Sequence, residues 1–481
     1  MSPETEYEPV IGLEIHVQLA TATKMFCGCE LRFGDPPNTH TCPVCLGLPG
    51  ALPVTNAQAI HYGLMIGMAL GSELAPRSVF HRKNYFYPDL PKGYQISQYD
   101  EPLCLGGRLG DVRLHRVHLE EDAAKLVHVG SSGRLHGSDA SIVDFNRGGT
   151  PLAEIVTEPD LRDATQAAEW LRLLRATLRR LGVSDVNMEE GSLRCDANIS
   201  LRPVGTEPFG TKTELKNMNS FRFIERGIRA EIARQTQILR GGGTVEQETL
   251  HFDPRTEAIT SLRSKEEAHD YRYFPEPDLT PVAISQHMLD RARAALPELP
   301  LDRAARFERE HGLTADSARL LAFRTELGDF FEQALADGNG SRPEPQPLAN
   351  WVANELVSRL GADADPADSK VAPGALATLV AMVSAKEVTQ GGARQVLDTL
   401  VAHGGDPKAI VAAEGLGAVG GADELGPVVA DALAANPDVA EKLRSGDMKP
   451  IGVIVGHVMR ETKGRADGGE VTRLVRQQLG L

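Results

Sequence analysis

The strongest constraint on this fold is a strict alternation of apolar and polar side chains early in the sequence. In the stretch VIGLEIHVQL, residues 10–19, every second residue from Ile11 onward is Ile, Leu or Val, and Glu14 and His16 stand between them. Side chains of a β-strand point alternately to opposite faces, so the stretch predicts a strand with one face on a core. The other face either meets solvent or lines a pocket, and the pattern alone favours neither.

Three later stretches also place acidic residues on the face of a strand that points away from the core. Glu120 alternates with apolar residues beside His118, Glu154 is the lone charge in an apolar run, and Asp196 lies opposite a core face. A carboxylate in such a run is costly unless it is paired or bound to a metal. Several such strands predict a site for a hard cation such as Mg²⁺, and hence for nucleotide phosphates. The alternative is a sheet with a plain polar face.

Four of the six cysteines cluster as two close pairs, Cys27 with Cys29 and Cys42 with Cys45, separated by a loop rich in Gly, Pro and Asn. Two pairs on a short loop are typical of a tetrahedral zinc ion held by four thiolates. The alternative is four free thiols in a loop without metal. Four cysteine ligands leave zinc no open position, so the spacing disfavours a zinc hydrolase.

The composition is that of a globular protein, with 41% hydrophobic and 24% charged residues in 481 residues, and about three domains are expected from the length. No apolar run reaches the roughly 20 residues of a membrane helix, and the N-terminal residues lack a signal pattern. We therefore expect a cytoplasmic protein without membrane association.

Charge is distributed unevenly along the chain. The net charge is −15, but residues 442–481 hold eight Lys/Arg and four Asp/Glu, so this part carries +4 and the preceding 441 residues carry −19. A basic C-terminal segment in an otherwise acidic chain suggests that this segment binds an anionic ligand. The alternative is that these charges belong to an ordinary solvent-exposed helical surface.

The order of strands and helices favours an α+β fold over a doubly wound sheet, because the two do not alternate regularly. Helix-like sequence follows from about residue 285. Gly452 and Gly456 have the spacing of a helix-packing motif, which predicts close helix contact there. The predicted strands are 10–19, 110–120, 140–146, 152–157 and 192–202, and the two long amphipathic helices are about 163–181 and 220–239.

The usual nucleotide-binding motifs are missing: the sequence contains neither a P-loop nor a Rossmann glycine fingerprint. Residues 81–100, HRKNYFYPDLPKGYQISQYD, interleave aromatic and cationic side chains. The side chains of such a loop can bind nucleic acid by stacking on bases and neutralising phosphate, or they can pack on the protein core. The sequence supports the two interpretations equally.

Taken together, several stretches resemble the GatB family, the B subunits of the tRNA-dependent amidotransferases, over essentially the whole chain. These stretches are IGLEIHVQL, the four-cysteine loop, KNYFYPDLPKGYQISQ, HLEEDAAK, DFNRGGTPLAEIVTEPD, TKTELKNMNSF, RYFPEPDL, LANWVANEL and KPIGVIVGHVMRETKGRAD.

The resemblance implies a specific reaction and a specific set of partners. The family acts on tRNA(Gln) carrying Glu or tRNA(Asn) carrying Asp. ATP phosphorylates the side-chain carboxylate, and ammonia released from glutamine by the A subunit displaces the phosphate. The C subunit ties the A and B subunits together, so a heterotrimer is expected, with ATP, Mg²⁺ and structural Zn²⁺ as cofactors.

The resemblance also implies the domains and the roles of individual residues. We expect a catalytic cradle domain over 1–290 with a zinc loop at 25–46, a helical domain over 291–405, and a YqeY-like helical tail over 411–481 that binds tRNA. The expected catalytic residues are Glu14, His16, Glu120 and Glu154, and the expected Mg²⁺ ligands are His16, Glu120 and Glu154, with Glu121 nearby. The expected zinc ligands are Cys27, Cys29, Cys42 and Cys45. The expected tRNA contacts are Lys449, Arg460, Lys463 and Arg465.

The main competing interpretation is a non-catalytic tRNA-binding scaffold in which the acids are purely structural. ADP production by the complete complex with mischarged tRNA would distinguish the two. The sequence does not decide which mischarged tRNA is the substrate.

Overall fold

The computed structural model describes residues 5–129, 140–263, 271–337, 343–361, 364–420 and 422–481. The chain divides into two compact units, Met1–Leu299 and Pro300–Leu481, and each is described by itself. The finer domain boundaries expected from the sequence remain predictions. No helix within these ranges is long and apolar enough to cross a membrane.

The first unit is built on one large sheet. Its strands follow the order β15-β14-β13-β12-β1-β11-β8-β6-β2, with β7 paired to β8, and the pairs are antiparallel except β13 with β14. The strands of this unit are β1 Tyr7–Gln18, β2 Glu73–Leu74, β3 Arg77–Ser78, β4 Phe80–Asn84, β5 Tyr94–Gln98, β6 Cys104–Leu105, β7 Arg108–Leu109, β8 Val112–Glu121, β9 Lys125–Val129, β10 Ala140–Asp144, β11 Pro151–Thr157, β12 Leu193–Pro203, β13 Thr213–Met218, β14 Thr249–Asp253, β15 Ala258–Arg263, β16 Phe274–Pro275 and β17 Val282–Ala283.

Helices pack on the apolar face of this sheet and on one another. They are α1 Ala57–Ala69, α2 Ala164–Leu181, α3 Phe221–Arg240 and α4 Gln286–Ala294. Helix α1 contacts β8 and α3 contacts β12 and β13, whereas α2 packs between α1 and α3, and α4 packs on α1. Helix α2 begins at its cap Asp163, whose side chain accepts from the Gln166 amide, and ends at Gly182 with φ 68°. Helix α1 packs on Leu119 of β8 through Gly63, where a Cβ would lie 3.2 Å from that leucine. The odd-numbered residues of β1 from Ile11 to Val17 are almost fully buried.

The second unit is helical. Its elements are α5 Pro300–His311, α6 Ala315–Phe323, α7 Thr325–Ala336, α8 Pro345–Asn350, a π-helical turn Trp351–Leu356, α9 Val357–Leu360, a 3₁₀ turn Pro366–Asp368, α10 Pro373–Ser384, α11 Gln390–His403, α12 Pro407–Glu414, α13 Ala422–Ala435, α14 Pro437–Arg444, α15 Ile451–Glu461 and α16 Gly468–Leu479. Two hydrophobic clusters form inside it, one between residues 304 and 411 and one between 425 and 475. The predicted α+β architecture with a helical C-terminal part is confirmed.

The predicted close helix contact at Gly452 and Gly456 is wrong. A Cβ built on either glycine would meet no atom within 4 Å. Helix α15 buries a different side, through Ile454 and Val458, which are four residues apart and belong to the second cluster. The glycines are therefore on an open part of the helix surface.

Candidate functional site

Strand β1 lies in the middle of the sheet, and this position brings the predicted acids together. His16 is in register with Glu154 on β11 and with Arg194 on β12, and Glu154 is in register with His118 on β8. Since side chains repeat every two residues on one face, Glu14 and Glu120 point to the same side as this row. The polar face of the opening strand is thus the floor of a charged cluster.

The His16 imidazole is the centre of this cluster. Its Nε2 lies 3.5 Å from Glu154 Oε2, 3.7 Å from Glu120 Oε1 and 3.7 Å from Glu14 Oε1. Burial disfavours the charged imidazole, but Glu154 and the other carboxylates outweigh it and raise the pKa of His16. The other three residues predicted as catalytic therefore all lie within 4 Å of His16.

His118 supports the two buried carboxylates from the opposite side. Its Nε2 lies 3.3 Å from Glu154 Oε2 and 3.8 Å from Glu120 Oε2. Burial again opposes the charge, yet Glu154 and Glu120 raise the pKa of His118 to about 9. Conversely, burial would raise the pKa of Glu154, but His118 and His16 hold it well below its usual range.

Several further residues contact this cluster and were not predicted as site residues from the sequence. Lys216 of β13 bonds Asp196 at 3.0 Å and Glu214 at 2.9 Å, and Ser97 Oγ donates to Glu120 Oε2 at 3.0 Å. Lys83 makes a cation–π contact with Tyr271, and its Nζ lies 5.0 Å from the ring centroid. Burial opposes its charge, but Glu120 leads the groups that raise the pKa of Lys83.

Glu121 does not join the cluster, contrary to expectation. It follows Glu120 on β8 and so points to the opposite face, where it pairs with Lys92 and accepts from the Ile96 amide at 2.9 Å. The sequence EED thus divides its first two carboxylates between two faces. The third, Asp122, accepts from Gln18 Nε2 at 2.8 Å and pairs with Arg194 at 3.0 Å.

The cluster opens into a cavity of about 640 Å³. Acidic and cationic side chains both line it, among them Glu14, His16, Glu120, Asp196, Lys83 and Lys216. A cavity of this size is within the usual range for small-molecule and cofactor sites.

The geometry of His16, Glu120 and Glu154 fits a divalent cation. One ligand atom from each lies within 4.8 Å of the other two, and the same holds for Glu14, His16 and Asp196. Two ligands about 2.1 Å from one Mg²⁺ ion lie about 3 to 4 Å apart, close to the separations seen here. Both sets have a cation nearby, because His118 contacts Glu120 and Glu154 of the first set and Lys216 pairs with Asp196 of the second.

The four predicted zinc ligands also converge. The sulfur atoms of Cys27, Cys29, Cys42 and Cys45 lie within 4.8 Å of one another. Tetrahedral zinc with bonds of about 2.3 Å requires sulfurs about 3.8 Å apart, so the set fits with small adjustments. The Cys42 amide donates to Cys45 Sγ at 3.2 Å, and this hydrogen bond holds the two cysteines of the second pair close together.

The predicted tRNA contacts lie at the two ends of α15. Lys449 precedes the helix, whereas Arg460, Lys463 and Arg465 are at or beyond its last turn, so the helix separates them by about 16 Å. Lys449, Arg460 and Lys463 are exposed. Arg465 is half-buried and donates to the carbonyls of Thr462 and Gly415, so it also has a structural role.

Comparison with known proteins identifies the class to which this fold and site belong. Residues 9–290 match the GatB/GatE catalytic domain and residues 329–479 match the GatB domain. The chain therefore belongs to the GatB family.

Full-length relatives share one name. The chain is 50% identical to the B subunit of the aspartyl/glutamyl-tRNA(Asn/Gln) amidotransferase of Frankia casuarinae, over 99% of this chain and 96% of the relative. The proteins of that name from Anaeromyxobacter sp. (strain K) and Moorella thermoacetica are 48% and 47% identical, over 99% and 98% of this chain and the whole of each relative.

Proposed function

We propose that this chain activates and amidates the side-chain carboxylate of Glu on tRNA(Gln), of Asp on tRNA(Asn), or of both. The observation that carries the proposal is the convergence of His16, Glu120 and Glu154 beside a polar cavity in a member of the GatB family. The competing scaffold function is not favoured, because the family match over residues 9–290 is to a catalytic domain.

The chemistry requires two displacements. A carboxylate oxygen of the amino acid attacks the γ-phosphorus of ATP, the bond to the β,γ-bridging oxygen breaks, and ADP leaves. Ammonia then attacks the carbonyl carbon of the acyl phosphate, and phosphate leaves as the amide forms and loses a proton. Phosphoryl transfer depends mainly on positioning and on neutralising charge, which a bound Mg²⁺ ion supplies to the phosphates.

The residues of the cavity have distinct tasks in this proposal. His16, Glu120 and Glu154 would hold Mg²⁺, and Glu14 lies beside them as a further acceptor. Ser97 orients Glu120 through its hydrogen bond. Lys83 and Lys216 line the same cavity and offer positive charge to phosphate oxygens.

The remaining parts of the assembly extend the proposal. The four-cysteine loop would hold a structural Zn²⁺ ion within a catalytic cradle domain over 1–290. The A and C subunits of the amidotransferase would complete a heterotrimer, in which the A subunit releases ammonia from glutamine. Domains over 291–405 and 411–481 would follow, and the latter would bind tRNA.

The surface of α15 supports a role of the tail in tRNA binding. Gly452, Gly456 and Arg460 recur at helical spacing within α15, and Lys449 and Lys463 lie just outside its two ends. The two glycines leave this surface open, since nothing lies within 4 Å of a Cβ built on either. An RNA backbone could therefore approach closely between cations at the two ends.

The test is a substitution that removes the charge of one carboxylate and keeps the shape of its side chain. In the complete amidotransferase complex, Glu154→Gln should nearly abolish ADP formation with mischarged tRNA, because it removes a proposed ligand charge between His16 and His118. Glu158→Gln is the matched control, since Glu158 follows the same strand and pairs with His115 outside the cavity. Normal ADP production by the Glu154 variant would mean that this carboxylate is structural.

A further inference from the structure

A buried lysine touches the cysteine cluster. The side chain of Lys24 is only 1% exposed. Its ammonium donates to the Phe145 carbonyl at 2.9 Å and to Cys45 Sγ at 3.6 Å. Burying an ammonium group is costly unless a negative partner compensates for the lost water. The partner available here is sulfur, and a neutral thiol would compensate poorly.

The zinc centre proposed above would supply the required negative charge. Four thiolates around one Zn²⁺ ion carry a net charge of −2, which favours a nearby cation. Lys24 is held toward the cluster by the Phe145 carbonyl, and Gly149 leaves room for its stem, because a Cβ there would lie 3.3 Å from Lys24 Cδ. The ammonium is therefore positioned to interact with Cys45.

The hydrogen bonds are distributed unequally among the sulfurs. Cys45 Sγ accepts from both the Lys24 ammonium and the Cys42 amide. Cys27 and Cys45 both line a small cavity of about 140 Å³, so a small reagent can approach either of them. A charge-assisted hydrogen bond stabilises a thiolate and lowers its tendency to attack electrophiles.

We propose that Lys24 is the charge-balancing cation of the zinc–thiolate centre, and that its hydrogen bond makes Cys45 the least reactive of the four ligands. This inference rests on the proposed zinc centre. Lys24 is thus a positioning residue that acts through Cys45 and helps to retain the metal.

The test follows alkylation of the full-length, zinc-loaded chain by iodoacetamide, with mass spectrometry of each cysteine and a chromogenic chelator to time zinc release. Cys45 should be alkylated last in the unaltered protein. In Lys24→Met, Cys45 should react about tenfold faster and zinc should leave faster by a similar factor. Lys24→Arg, which keeps the charge, should restore much of the protection.

Arg32→Met is the matched control, because Arg32 is a cation on the same loop that pairs with Glu30 at the surface. It should leave both rates unchanged. Early alkylation of Cys45 in the unaltered protein would overturn the inference without any variant, as would equal Cys45 rates in the unaltered and Lys24→Met chains. An unaltered chain that retains no zinc would instead refute the zinc centre itself.

Discussion

At the level of single residues, Lys216 is the most informative cation of the proposed active site. It bonds Asp196 and Glu214 and lines the cavity beside His16. Without Lys216, the negative charges of Asp196 and Glu214 would be uncompensated at the place where phosphate is proposed to bind. The role of Lys216 is therefore electrostatic.

We predict that Lys216→Met lowers kcat for ATP-dependent amide formation by about 10²-fold, the usual cost of losing one stabilising charge or donor. Steady-state kinetics with mischarged tRNA would measure it. Lys212→Met removes an exposed lysine from the same segment and should change kcat little. An equal loss in both variants would show that the effect is general rather than local to the cavity.

The sequence shows some of these residues and conceals others. His16, Glu120 and Glu154 could be found because strand alternation puts each opposite a core face. Lys216 carries a similar signal, since it alternates with Leu215 in TELKNM. Ser97 and Lys83 lie in the aromatic and cationic stretch 81–100, but that stretch did not indicate which of its residues would reach the acids. They approach the cluster from β5 and β4, which form a separate small sheet, and only tertiary packing sets that approach.

Among the elements, the four-cysteine loop is the one whose order would depend on the proposed zinc ion. Asn38 donates to Asp144 Oδ1 and to the Val143 carbonyl, and the His40 amide donates to Asn146 Oδ1, so the middle part of the loop is tied to β10 and the residues after it. The two cysteine pairs contribute little hydrophobic packing, so metal binding, worth roughly 10–16 kcal/mol in small zinc sites, would supply most of its order.

We predict about one zinc ion per chain by metal analysis, and its loss in Cys42→Ser. Amide hydrogen exchange should then accelerate across residues 25–46, while α16 keeps its protection because its core is separate. Zinc retained after two Cys→Ser changes would contradict the assignment.

Helix α15 provides a second prediction at this scale. The double variant Arg460→Ala/Lys463→Ala should weaken tRNA binding and reduce the log–log salt slope by about 1.5 units, because each lost phosphate contact removes somewhat less than one unit. Arg473→Ala/Arg476→Ala removes the same charge from α16 and is the matched control. Binding measured across a salt series would separate a local contact from a general charge effect.

The positions of the helices along the sequence were predicted more reliably than the side of each helix that packs on a neighbour. The predicted helices 163–181 and 220–239 correspond to Ala164–Leu181 and Phe221–Arg240, because caps and apolar periodicity are local features. The Gly452–Gly456 contact failed because spacing alone does not show which side of a helix meets a neighbour. Only the buried row of Ile454 and Val458 shows that.

At the scale of the whole molecule, the second unit contains a separable part. Residues 425–475 have their own hydrophobic cluster. The segment before them is joined by the bridges Val388 with Gly417 and Val419 with Ala466, and side-chain hydrogen bonds run from Thr389 to the Gly464 carbonyl and from Arg465 to the Gly415 carbonyl. Of the residues from 411 onward, the cluster between residues 304 and 411 includes Val411, and Leu416 packs against it; it includes none of residues 425–475. Removing the tail should therefore leave the rest folded.

We predict that a chain ending at residue 420 keeps much of its kcat at saturating tRNA but has a raised apparent KM for mischarged tRNA. The reason is that the tail would contribute tRNA contacts and no cavity residue. Steady-state kinetics and a salt series on intact and truncated complexes would test this. Equal affinities and slopes would assign the tail a different task, such as packing on another protein of the complex.

The central position of β1 also sets the order of events during synthesis. Its neighbours β11 and β12 end at residues 157 and 203, so the ribosome adds about 185 residues after Gln18 before both are available. At about 5–20 residues per second, the interval is about 10 to 40 seconds. Both edges of this strand lack a partner until β11 is complete, and one edge lacks a partner until β12 is complete, so the strand is exposed to other chains. The strand that holds the site together is therefore also a segment that needs protection from other chains during synthesis.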